Sequence, residues 1–234
     1  MAEGVVRSEL REVVAIAHLD DGKANAFSHD VIHALEAHLD RAEKEAGAVL
    51  ISGRPGTLSG GFDLGVMRSG PEEVFRLVTA GAQLFFRLLE FPLPIVIAAT
   101  GHAIAAGAVA LLAADARIGA EGRFKIGLNE VASGMTLPLF AVELARQRLS
   151  KRHFIRATTQ AELYAPEAAV DAGFLDRVTS PEKVVDVACA EADRLAGLAQ
   201  PAFALTKQRA HAALVADLRR TLEADLRGLT GLGS

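Results

Sequence analysis

The run "PIVIAATGHAIAAGAVALLAAD" over residues 94–115 constrains this chain more than any other feature. It is almost wholly Ala, Gly and aliphatic. A spanning helix needs about 20 consecutive apolar residues. Here His102 interrupts the run, and Asp115 and Arg117 close it. The apolar piece before Gly101 is too short to span. The run therefore reads as a buried strand, a glycine-containing turn and a core helix beginning near Ala106. The N-terminus "MAEGVVRSELREVV" mixes acids and bases and has no hydrophobic core of a signal peptide. The expectation is a cytoplasmic protein without a membrane partner. Cys189 is the only cysteine, which excludes an internal disulfide and fits a reducing compartment.

The chain has 234 residues, half of them hydrophobic, which suffices for one substantial core. Its formal charge of −4 argues against nucleic acid as a partner. No tandem repeat, low-complexity tract or Ser/Pro-rich linker divides it. The pattern predicts a mixed α/β part over 1–180 and a helical region over 181–234.

Along the chain, 13–19 ("VVAIAHL") reads as a strand. A helix follows over 30–46, capped by Ser28, with Val31, Leu35, Leu39 and Ala42 on one face. Residues 48–53 and 94–100 are continuously apolar, as strands buried on both faces are. Between them, 54–63 reads as a loop, and Pro71-Glu72-Glu73 opens a helix to about Glu90. Residues 116–127 are strand-like. From Leu137 the pattern is helical, broken at "GFLDRV", and Ser180-Pro181-Glu182 is expected to start a helix. Leu214, Leu218, Leu222 and Leu226 form a stripe on the last helix, with no surplus of chain evident to cover it. Strands alternating with helices, followed by helices, predict an α/β fold with a helical tail.

Several patterns invite a chemical reading. "HDVIH" (29–33) places two histidines at metal-sharing spacing, but the intervening Asp is short and no third ligand is evident, so no metal is expected. Ser59 in "TLSGGF" lacks the glycine that a nucleophile elbow needs before the serine. No phosphate-binding glycine loop is present. Two turns rich in small residues remain: Gly60-Gly61 before Phe62, and Ala105-Ala106-Gly107. Each follows a buried strand and leads toward a helix. Small residues permit close backbone approach, and helix N-termini leave N–H groups free. Such a pair can form an oxyanion hole, or can simply be tight turns against a crowded core.

In register, five segments resemble the crotonase superfamily, the enoyl-CoA hydratase/isomerase family. "NAFS" (25–28) resembles its N-A-L followed by Asn or Ser. "LSGGFDL" (58–64) resembles its F, S or A, A-G, A or F, D-L. "ATGHAIAAGAVALLAADARIGAEGRF" (99–124) resembles its glycine-rich strand–helix–strand. "NEVASGM" (129–135) resembles its P-E-V segment, and "AAVDAGFLDRV" (168–178) a later A-x-x-x-G-L segment. The resemblance implies an α/β spiral of ββα units with a helical C-terminal trimerisation region. It implies fatty-acid chemistry on an acyl-CoA or enoyl-CoA thioester, and a homotrimer or dimer of trimers. No separate cofactor is implied, since coenzyme A belongs to the substrate.

Carried onto this chain, the oxyanion hole of that family falls on the backbone amides of Phe62 and Ala106. Gly61, Ser59, His102 and Val109 line the substrate site, and Lys23 stands where a base often meets the nucleotide. Two departures matter. Ala105 and Ala106 replace two glycines. Val109 stands where a hydratase carries its first glutamate, while the second falls on Glu130 if two extra residues are admitted after Phe124; without them, Leu128 takes that position. Leu128, Val131 and Met135 are expected to supply apolar surroundings that raise the Glu130 pKa.

One carboxylate suits a double-bond shift better than hydration, which needs two. The residues thus favour an isomerase-like enzyme with Glu130 as proton carrier. The alternatives are an enoyl-CoA hydratase, another reaction of the superfamily recruiting His102 or Ser59, and an acyl-CoA-binding subunit without activity.

Overall fold

A computed structural model describes residues 4–232. The strands are β1 (Val6–Arg11), β2 (Val14–Leu19), β3 (Ala48–Ser52), β4 (Gly56–Ser59), β5 (Ile95–Ala99), β6 (Gly101–Ile104), β7 (Ala116–Ala120), β8 (Ile126–Gly127) and β9 (Arg177–Thr179). The helices are α1 (His29–Glu45), α2 (Pro71–Glu90), α3 (Ala106–Ala113), α4 (Leu139–Arg148), α5 (Lys151–Thr158), α6 (Pro166–Ala172), α7 (Val184–Ala196) and α8 (Gln200–Thr230). Short 3-10 turns cover Val66–Arg68 and Val131–Ser133.

The strands form two sheets. The larger runs β1-β2-β3-β5-β7-β9 and is parallel except for the β1–β2 hairpin. The smaller runs β4-β6-β8 and is parallel throughout. Three times the chain passes from a strand of the large sheet to one of the small sheet and on to a helix: β3-β4-α2, β5-β6-α3 and β7-β8-α4. This is the expected spiral of ββα units. The step from β5 to β6 is abrupt. Thr100 Oγ1 donates to the Arg54 carbonyl at 2.8 Å, and a Cβ at Gly101 would run into the Gly56 backbone.

The continuous apolar runs in β3 and β5 follow from burial on both sheet faces. Leu50, Val96, Ala98 and Ile118 pack with Val184 and Ala188 of α7 on one face. Val49, Ile51 and Ile97 face the main core with α1, α2 and α3. Helix α7, beyond the expected boundary at residue 180, thus lies directly on the large sheet.

Three local expectations change. Residues 54–63 contain β4, and the segment over 116–127 splits into β7 and β8. Strands this short lie below what hydrophobic period resolves. Ser180-Pro181-Glu182 does not start a helix: α7 begins at Val184, after a turn, and Ser180 caps nothing. Ser28 does cap α1, its Oγ accepting from the Val31 amide at 3.3 Å.

The leucine stripe of α8 is covered by this same chain. Leu218, Leu222 and Leu226 are buried in the main core with α2 residues Leu77, Val78 and Phe85. Arg219 pairs with Glu90 at 2.6 Å, and the Arg227 guanidinium stacks over the Phe75 ring at 5.2 Å. The stripe therefore supplies no surface for a second copy, and the argument for self-association from it fails. The all-buried helix α3 occupies the centre, and among the described residues no helix is long and apolar enough to cross a membrane.

Candidate active site

The small sheet organises the site. Its strands are parallel, so their C-terminal ends emerge together, and ligands of open α/β sheets bind outside such ends. After β4 the chain reaches Phe62, after β6 Ala106, and after β8 Glu130. The sheet places the three residues singled out for chemistry beyond one end of its strands.

At the first turn, Gly61 has φ 107°, a conformation that strongly favours glycine. Gly60 N donates to the Ala24 carbonyl at 2.8 Å. Phe27 N donates to the Gly61 carbonyl at 2.8 Å, and Asp63 N to the Phe27 carbonyl at 3.2 Å. These two bonds form a parallel bridge between Phe27 and Phe62 in which the Phe62 N–H and carbonyl point away from Phe27. Its N–H has no partner among the described residues. The "NAFS" segment thus fixes the turn. Asp63 Oδ1 then accepts from the amides of Gly65 (2.7 Å) and Val66 (3.1 Å), starting the first 3-10 turn.

At the second turn, Ala105 has φ 53° and ψ −123°, a left-handed conformation for a residue with a Cβ. Its N–H donates to the Gly127 carbonyl at 3.0 Å, and its carbonyl receives Ala108 N and Val109 N at 2.9 and 3.0 Å. Ala106 is the first residue of α3, so its N–H has no acceptor within the helix, and none is present among the described residues. The two turns touch: a Cβ built on Gly61 would lie 2.9 Å from the Ala105 Cβ and 3.6 Å from the Ala106 nitrogen. A Cβ on Gly107 would meet the Ser59 carbonyl at 2.6 Å. The small residues therefore serve close packing of two turns that each leave one N–H unpaired.

At the third strand end, Leu128 is fully buried and Glu130 begins the second 3-10 turn. The Glu130 carbonyl accepts from Ser133 N and Met135 N, both at 2.9 Å. Its carboxylate is buried, and Oε2 has no hydrogen-bond partner among the described residues. Burial lifts its pKa from 4.5 to about 7, against a smaller opposing effect of its own and the Asn129 amide. Of the three apolar neighbours expected around it, only Leu128 is buried; Val131 and Met135 are exposed. They follow Glu130 along an outward turn closed by Gly134 at φ 76°.

The other candidates fall as follows. Val109 lies in α3 and is 2% exposed. Ser59 is fully buried, and its Oγ accepts from Gly61 N at 3.2 Å, which engages it in shaping the turn. His102 lies on β6, where its Nδ1 accepts from Lys125 N at 3.0 Å and its ring meets Phe124 edge-on. Lys23 is exposed, and its carbonyl receives the Arg54 guanidinium, a second cation the sequence reading did not single out. His29 and His33 are exposed on α1.

A cavity of about 500 Å³ lies between the turns that follow Phe62 and Glu130, although neither of those residues nor Ala106 lines it. Met67 of the turn after Phe62, Val74 and Val78 of α2, Met135 after Glu130, and Leu226 and Leu229 of α8 form its walls. Sequence reasoning missed it, because its walls come from three separated segments.

Two unpaired amides and one carboxylate thus lie at parallel strand ends of a ββα spiral, the arrangement that the crotonase resemblance implies. The sequence profile of the enoyl-CoA hydratase/isomerase family matches residues 9–233. The chain belongs to that family. It is 45% identical to an enoyl-CoA hydratase/isomerase family protein of Pseudomonas syringae, with a TM-score of 0.94 over 96% of this chain and 98% of that one. It is 35% identical to an enoyl-CoA hydratase from Mycobacterium marinum, with a TM-score of 0.92 over 97% and 100% of the two chains. It is 28% identical to the mitochondrial enoyl-CoA delta isomerase 1 of Homo sapiens, over 91% of this chain and 72% of the human protein. The names of these relatives include both reactions.

Proposed function

We propose that this protein shifts the double bond of a 3-enoyl-CoA thioester to carbon 2, with Glu130 as the only proton carrier. The observation that carries this reading is the Glu130 carboxylate, whose buried Oε2 has no partner among the described residues and whose pKa is raised to about 7; the family resemblance puts Val109, not a second acid, at the position of a hydratase's other glutamate. The ionised Glu130 takes a proton from carbon 2 of the substrate. The electron pair moves into the thioester, whose oxygen gains negative charge. The amides of Phe62 and Ala106 donate to that oxygen; loss of one such donor typically costs about 2.7–4 kcal/mol of transition-state stabilisation. Glu130 then returns its proton to carbon 4, leaving the double bond conjugated with the thioester. Atoms and charge balance without any cofactor beyond the coenzyme A of the substrate.

A Glu130 pKa of about 7 suits both halves of this cycle, since the group must release the proton it has taken. Val109 can neither hold a water nor accept a proton, which speaks against efficient hydration. The bonded states of Ser59 and His102 speak against their recruitment as nucleophile or base. Lys23 and Arg54 are the cations offered for the phosphates of the nucleotide, with Arg54 also 3.9 Å from Asp20 Oδ1. A homotrimer or dimer of trimers and a place in fatty-acid metabolism complete the reading, both on the family resemblance.

The deciding experiment offers matched 2-enoyl and 3-enoyl CoA esters to the protein and to Glu130→Gln. The reading expects the 3-enoyl esters to isomerise, with slow or no hydration of the 2-enoyl esters. Efficient hydration that survives Glu130→Gln would refute it.

A further inference from the structure

The cavity described above is apolar except at three side chains, Arg68, Thr136 and Thr230. Thr230 is already committed, its Oγ1 donating to the Leu226 carbonyl at 2.8 Å. Arg68 is the only charged residue in the lining, and no carboxylate lines the cavity to neutralise it. It makes no ion pair and no side-chain hydrogen bond among the described residues. Most other arginines here are engaged: Arg87 with Glu36 and Asp40, Arg117 with Asp176, Arg148 with the carbonyls that end α3.

Placement gives this free guanidinium a function. The cavity is bounded by the turn that follows Phe62 and by the turn that follows Glu130, and an acyl chain directed from the reacting carbons between those two turns would reach it. Val78 and Leu226 are buried walls, whereas Arg68 and Leu229 are exposed. A chain running outward along the apolar walls therefore ends near Arg68. An unpaired, forked guanidinium at that end fits a carboxylate, which it can bind through two parallel N–H groups.

We propose that Arg68 selects acyl chains carrying a distal carboxylate, so that the preferred substrates are CoA monothioesters of unsaturated dicarboxylic acids. This rests on the reading that the site processes enoyl-CoA esters, and adds which acyl group it takes. The contact lies far from carbons 2 to 4 and is made equally in ground and transition states. It therefore acts through KM and leaves kcat nearly unchanged.

The test compares 3-enoyl-CoA esters ending in a carboxylate with esters of the same length ending in a methyl group, over a series of chain lengths. At the best length the natural protein is expected to favour the carboxylate ester by about tenfold in kcat/KM, the scale of a charge-assisted hydrogen bond. Arg68→Met, which keeps the length and removes the charge, should erase or invert that preference through KM alone. Arg68→Lys should keep part of it. Because both esters carry the same coenzyme, any effect of Arg68 on the nucleotide cancels in the ratio. Equal use of both esters at every length, a methyl preference in the natural protein, or a carboxylate preference that survives Arg68→Met would overturn the proposal. If neither ester is isomerised, the proposed reaction fails instead. The selectivity is then read from calorimetric affinities of the saturated carboxylate-ended and methyl-ended CoA esters, with the same expected ratio and the same dependence on Arg68.

Discussion

The Ala105 amide donates to the Gly127 carbonyl at 3.0 Å, tying the turn that presents the Ala106 N–H to the strand that leads to Glu130. The bond continues the β6–β8 ladder, in which Ile104 pairs with Gly127. A disturbance on either side is thus transmitted to the other. The strain at Ala105 is held in place by this bond from one side and by the two first-turn bonds of α3 from the other.

The pKa of Glu130 sets a pH dependence with opposite signs for activity and stability. Isomerisation needs the carboxylate, so kcat/KM should rise with pH up to about 7 and then level off. In the unfolded chain the group titrates near 4.5, and in the fold at about 7. Between those values the native state holds the extra proton, so stability should fall as pH rises through this window, by up to about 3 kcal/mol. Glu130→Gln should remove the slope from denaturant titrations and lower kcat by about 10²–10⁴-fold, with CoA-ester affinity nearly unchanged.

Val109→Glu adds a carboxylate at the position where the family resemblance places a hydratase's first acid. Hydration of 2-enoyl esters should become measurable by loss of their ultraviolet absorbance. Because Val109 is 2% exposed, the substitution should also destabilise the fold by several kcal/mol, or leave the new acid protonated at neutral pH.

Ala105→Gly should stabilise the protein. A residue with a Cβ held at φ 53° and ψ −123° costs on the order of 1–3 kcal/mol, part of which glycine returns as extra freedom in the unfolded chain. The expected net gain is about 1 kcal/mol by thermal or urea unfolding, with activity retained. An equal loss of stability would show that the turn is not strained.

Gly81→Ala should reach the site from α2. A Cβ at Gly81 would collide with the Phe62 ring, and Phe62 supplies one of the two unpaired amides. Displacing the ring tilts that amide, so kcat should fall at least tenfold while the 3-enoyl ester still binds. Steady-state kinetics separating kcat from KM checks this.

Lys207→Met should destabilise strongly without touching the chemistry. Lys207 Nζ lies 2.5 Å from Asp115 Oδ2, which also accepts the Ile95 amide at 2.8 Å. Both side chains are largely buried, so removing one leaves an uncompensated charge, at a cost of about 3–5 kcal/mol. Chemical denaturation should show the loss, and the folded fraction should keep its turnover number.

Much of the framework was legible locally. α1 and α2 carry apolar residues at helical period and conventional starts: Ser28 on one, Pro71 followed by two acids on the other. β3 and β5 announce themselves as continuous apolar runs. β4 and β8 do not, since strands of four and two residues offer no period, and only pairing with β6 makes them strands. The α8 stripe was visible, but its partner was not, because an apolar face does not state whether its own chain or another will cover it.

The residue types that the proposed chemistry requires were set by the sequence itself: glycine at 61 for a positive φ, a single acid at 130, valine at 109, an unbroken apolar helix at 106–113. These are properties of side chains and of allowed backbone angles, readable one position at a time. Tertiary structure decided which N–H groups stay unpaired, that the Glu130 Oε2 is enclosed while Val131 and Met135 next to it are exposed, and that Arg68 is the only charged residue lining a cavity walled by three distant segments. Solvation and hydrogen-bond completion depend on every atom brought within a few ångströms. Those atoms come from strands whose neighbours in space are tens of residues apart in the chain.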